Sequence, residues 1–125
     1  MHTATEVAQY FRGLGWSEFQ ALQQDAHAFA FSGPAIPGEN CNCNMKPARL
    51  TVVIEKNFTL PTGGSIPGRV VFKVVGSRPD ERWLDAQIYS IRRNEVSRAL
   101  INRMAVTAEA VWMSFQLTSD PAASP

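Results

Sequence analysis

A chain of 125 residues, 45% hydrophobic and 18% charged, is long enough for one hydrophobic core and too apolar to stay unfolded. Its 12 basic and 11 acidic residues leave a formal charge of +1, which gives no electrostatic drive toward nucleic acid or an anionic membrane. No apolar run approaches the roughly 20 residues that span a bilayer. The first residues also lack a basic stretch followed by an apolar one, so a cytoplasmic or particle-associated protein is expected.

In chain order, Thr3-Ala4-Thr5-Glu6 has the spacing of a capping box, with Thr3 as N-cap. Val7, Tyr10, Phe11 and Leu14 follow at helical spacing, and Gly13 and Gly15 end the helix. Ser17-Glu18-Phe19-Gln20 predicts a second helix with Phe19, Leu22, Ala26 and Phe29 as its apolar stripe, so the N-terminal helices span about 4–28. Ala28 to Phe31 also reads as a short strand. His27 lies off the stripe, with no Ser, Cys or carboxylate spaced to use it, and reads as a solvated or capping residue.

Ser32 to Pro47 contains the breakers Gly33-Pro34 and Pro37-Gly38 and predicts a long loop, a feature usually tied to contact or disorder. Cys41 and Cys43 stand one residue apart within it. A zinc site built on them would need His2 and His27 from distant positions, and no second cysteine pair exists. They read as two reduced thiols in a polar loop.

The stretch from Leu50 to Arg93 organises the chain. Arg49 to Lys56 alternates Leu50, Val52 and Ile54 with Thr51, Val53 and Glu55, and Arg69 to Val75 alternates Val70, Phe72 and Val74 with Val71 and Lys73. Both are half-buried strands by period. The connection from Thr59 to Gly68 is too long for a tight hairpin. Its Thr62-Gly63-Gly64-Ser65 lacks the lysine and following helix of a phosphate loop. Apolar Leu60 and Ile66, with Thr62, Gly63 and Gly64 at the tip and Pro61 and Pro67 stiffening the legs, instead predict a subunit-contact arm.

Beyond Gly76, Ser77 fits an N-cap, Pro79 a first turn, and Asp80 and Glu81 the positive end of a helix dipole. With Leu84, Ile88 and Ile91 as stripe, this predicts the main helix; a turn followed by a strand from Leu84 to Ile91 is the competing reading. Val111, Met113, Phe115 and Leu117 alternate with Trp112, Ser114 and Gln116 and predict a closing strand, against an unbroken helix over 94–115. Residues 119–125 form a short tail.

Candidate chemistry is thin. Arg92, Arg93, Arg98 and Arg103 are diluted by Glu95 and Glu109 and read as solvated helix ends or subunit ion pairs. Trp16, Trp83 and Trp112 read as core. No catalytic, cofactor-binding or metal-ligating residues are assigned, and the chain reads as non-enzymatic. The expected fold is a single α+β domain over 1–125: a small mixed or antiparallel sheet with an N-terminal helical segment and a main helix packed on one face.

The succession of strand, Leu60-Pro61-Thr62-Gly63-Gly64, strand Val70 to Val75, Gly76 and an acidic helix start resembles the tail terminator (minor tail or neck) proteins of bacteriophages. Val7-Ala8-Gln9-Tyr10-Phe11-Arg12-Gly13-Leu14-Gly15 is similar to their opening helix, and they too end in a strand after the main helix. The resemblance implies a structural virion subunit without catalytic residues. It would form a ring, six-fold in the family, that caps the tail tube below the head–tail connector. Its partners would be itself, the tail tube and the connector, without direct nucleic-acid contact. Competing readings are another virion subunit such as a capsid decoration protein, a bacterial module binding a small molecule or peptide between sheet and helices, and a thiol enzyme built on Cys41 or Cys43.

Overall fold

The computed structural model describes residues 3–20, 28–36, 48–78 and 80–117. Helix α1 (Ala4–Gly13) begins at Thr3, whose hydroxyl accepts from the Glu6 amide and donates to the Glu6 carboxylate. Strands β1 (Ser17–Phe19), β2 (Phe29–Ala35), β3 (Arg49–Ile54), β6 (Val70–Ser77) and β7 (Trp83–Ile91) build one antiparallel sheet in the order β1-β2-β3-β6-β7. Between β3 and β6, strands β4 (Phe58–Thr59) and β5 (Ser65–Ile66) form a separate two-stranded ribbon. A 3-10 turn (Arg93–Glu95) leads into helix α2 (Arg98–Leu117).

The two central strands follow the alternation of their sequences. Phe31, Val52 and Phe72 lie opposite one another across β2, β3 and β6, and the same face carries Leu50, Ile54, Val70 and Val74. Both helices pack on that face: α1 contributes Val7, Ala8 and Phe11, and α2 contributes Ile101, Met104, Ala108 and Trp112. Phe11 anchors the first helix, with its ring 6.1 Å from Phe31 and 6.2 Å from Phe72. The opposite sheet face carries a polar row of Ser17, Ser32, Thr51, Lys73 and Gln87. The fold is α+β, as the composition of strands and helices predicted.

Four element expectations are corrected. Ser17–Phe19 is a strand paired with β2, and the residues predicted to continue a second helix, 21–27 with His27 among them, lie outside the described residues. Glu18 does not open a helix; it pairs with Arg12 of α1 at 3.0 Å. Gly33-Pro34, expected in a loop, belongs to β2, where Gly33 faces the Trp16 ring so closely that a Cβ would meet it at 2.7 Å. Cys41, Cys43 and the tail over 119–125 lie outside the described residues.

The predicted main helix over 77–93 is a hairpin turn and strand β7. The Arg78 amide donates to the Arg82 carbonyl and the Glu81 amide to the Arg78 carbonyl, while Glu81 takes a left-handed φ of 67°. Asp80 supports this turn by accepting from the Arg82 amide and pairing with Arg78, so it does not serve a helix dipole. β7 looks helical in sequence because a bulge interrupts it. The register slips between Phe72 and Lys73, whose partners are Tyr89 and Gln87. Two-residue alternation through Leu84, Ala86 and Ile88 then resumes at Ile91, which leaves a helix-like 4,3 spacing of large apolar residues.

The predicted closing strand over Val111–Leu117 is the last part of α2. Val111 and Phe115 face the core beside Trp112, whereas Met113 and Leu117 are exposed. Each pair is i,i+4 on one helix. Two apolar faces therefore imitate one period-two strand.

Candidate functional site

The connection between β3 and β6 is a hairpin with a rigid root. Phe58 lies opposite Ile66 and Thr59 opposite Ser65. The Leu60 amide donates to the Gly64 carbonyl at 2.7 Å, and the Gly63 amide to the Leu60 carbonyl at 2.9 Å. Gly63 has φ of 93°, the left-handed position that closes a three-residue hairpin loop and favours glycine. Phe58, Leu60 and Ile66 share one face by strand alternation, and all three are exposed.

The root's two legs are bonded to each other and tied to two other segments. The Glu55 amide donates to the Arg69 carbonyl, and the Glu55 carboxylate accepts from the Arg69 amide. The Arg69 side chain reaches Ser90 of β7, through Nε to the hydroxyl at 2.8 Å and Nη2 to the carbonyl at 3.0 Å. Arg93, buried in the turn before α2, donates from Nη2 to the Glu55 carbonyl at 2.8 Å. Gly68 seats against the same backbone, where a Cβ would run into the carbonyl oxygens of Glu55 and Lys56. The hairpin leaves the sheet with its direction set.

Leu60, Thr62, Gly63, Gly64 and Ile66 thus come together on one small projecting element. Sequence reasoning missed Phe58, whose signal was its spacing of two from Leu60. Of the four arginines expected at solvated helix ends or in subunit ion pairs, Arg93 is instead buried, Arg92 reaches Glu95 at 4.0 Å, and Arg98 and Arg103 are exposed on α2. Trp112 is core and Trp16 half-buried, but Trp83 is 62% exposed on edge strand β7.

Among the described residues, no three of His, Cys, Asp and Glu are grouped to hold a metal ion. Among them, too, no helix is long and apolar enough to cross a membrane. The arrangement offers an apolar contact surface. No known protein family matches the chain, and no curated protein or solved structure does either.

Proposed function

We propose that the chain is a non-enzymatic structural subunit that closes into a ring, the role that tail terminator proteins play at the head-proximal end of a bacteriophage tail tube. The observation that carries the reading is the hairpin, whose apolar face points to solvent from a root held by Arg69, Arg93 and Gly68. A fixed direction lowers the conformational entropy lost on binding, and an apolar face gains by leaving water. A flexible surface loop needs neither property. The opening helix, the two central strands and the Gly-rich connection support the likeness to that family. The acidic stretch after Gly76 and the last element among the described residues do not contribute to it, because they form a hairpin turn and a helix. The partners on this reading are further copies of the chain, the tail tube and the connector, and the setting is the virion.

Native mass spectrometry of the full chain, with negative-stain images of the same sample, tests the reading. Closed rings of a single copy number, six by the family likeness, are expected. A strict monomer, both free and with tail-tube subunits present, overturns it.

A second reading, a peptide-binding module, draws on β7, a nine-residue strand at the edge of the sheet among the described residues, where an extended peptide could add a strand. Slowed hydrogen exchange along β7 on adding extended peptides would favour it.

A further inference from the structure

Resting on the ring-subunit reading, we infer that the hairpin's apolar face docks on the outer stripe of α2 in a second copy, head to tail. The stripe is Val106, Ala110, Met113 and Leu117, spaced i, i+4, i+7 and i+11, all on the helix face turned away from the core. Val106 is 70% and Leu117 80% exposed. A surface helix normally carries polar residues there. The core face of α2 is already supplied by Ile101, Met104, Ala108 and Trp112, so among the described residues the second apolar face is not needed to build the core.

The two patches stand at opposite ends of the sheet. The hairpin leaves at the Ile54/Val70 end. α2 begins near that end, because the chain enters it from Ile91, the ladder partner of Val70. It then spans the sheet: Trp112 lies over Gly76, and the Phe115 carbonyl accepts from Arg78 at 3.0 Å. Twenty residues of helix reach about 30 Å, and eight of strand about 26 Å, so the C-terminal half of the stripe lies at the far end from the hairpin. Two different patches at opposite ends generate a heterologous contact, the kind that closes rings. A patch that met itself would give an isolated two-fold dimer.

The occupant is a second copy because the chemistry of the two patches matches. Residues 57–67 contain no ionisable side chain, and residues 104–117 contain one, Glu109. The hairpin and the four stripe residues carry no charge to bury, and Glu109 lies at the margin of the stripe, where its carboxylate can stay in water. One such contact is small against the roughly 1,200–2,000 Å² of stable pairs, so closure of the whole ring must hold it through effective concentration.

The test places a photoreactive phenylalanine analogue at Phe58 of the full chain and maps the cross-linked peptide. Two variants accompany it, Leu60→Glu on the arm and Leu117→Glu on the receiving helix, each checked by circular dichroism for an unchanged fold. Cross-links from Phe58 to residues 106–117 of another copy are expected, with at least a tenfold weaker self-association for each variant. Rings whose cross-links fall elsewhere, or variants that assemble normally, overturn the docking and leave the ring reading standing. A wild-type chain that stays monomeric, both free and with tail-tube subunits present, overturns both.

Discussion

Arg93 donates to the Glu55 carbonyl at 2.8 Å, and this bond joins the root of the hairpin to the turn that starts α2. The donor is charged and the guanidinium is buried, so its removal matters more than that of a surface contact. Arg93→Met keeps most of the apolar stem and removes the donor. It should lower unfolding free energy by about 1.5–3 kcal/mol. Faster hydrogen exchange at the Leu60 and Gly63 amides should accompany the loss, since their ribbon depends on that root. A variant with wild-type exchange at those amides would show that the bond does not hold the arm.

The turns at 60–64 and 78–82 have the same two backbone bonds, yet one has Gly63 and the other Glu81 at the left-handed position. A side chain there costs roughly 1–2 kcal/mol, and glycine returns about 0.4–1 kcal/mol of that as unfolded-chain entropy. Glu81→Gly should therefore raise stability by about 0.5–1 kcal/mol, and Gly63→Ala should lower it by a similar amount. Urea midpoints for the two variants moving in the same direction would contradict this.

These turns also show why part of the fold was hidden in the sequence. Pro61-Thr62-Gly63 announces a turn through its glycine, whereas Pro79-Asp80-Glu81 offers the same proline with an acidic pair that equally suits a helix start. The central strands were legible because Leu50, Val52 and Ile54 alternate without interruption. β7 was not, because the bulge displaces Ile91 from its expected parity. The end of α2 was misleading because Met113 and Leu117 add an outer apolar face to the inner one of Val111 and Phe115. Of the arm, the apolar residues and the tip were legible, but its root was not. The bonds among Glu55, Arg69, Ser90 and Arg93 join positions as far as 38 apart.

Gly76 lies beneath Trp112, where a Cβ would meet the Ala48 Cβ at 2.6 Å and the indole at 3.0 Å. Gly76→Ala should cost about 1–3 kcal/mol by overpacking. Trp112 is fully buried, and its Nε1 has no acceptor among the described residues. Trp112→Phe should therefore be milder than Trp112→Ala, for which about 3–5 kcal/mol is expected. Thermal melts of the three variants check the order, and a Phe variant as unstable as the Ala variant would place a hydrogen bond on Nε1.

The most direct measurement is the mass of the assembled protein with and without its arm. Extending the register of Ile54 with Val70 by two residues sets Lys56 opposite Gly68, so replacing residues 57–67 by Asn-Gly should close the two strands with a two-residue turn and leave the core face intact. Native mass spectrometry should find closed rings for the full chain and a folded monomer for the shortened one. Rings formed equally well without the arm, or none formed with it, would contradict the account.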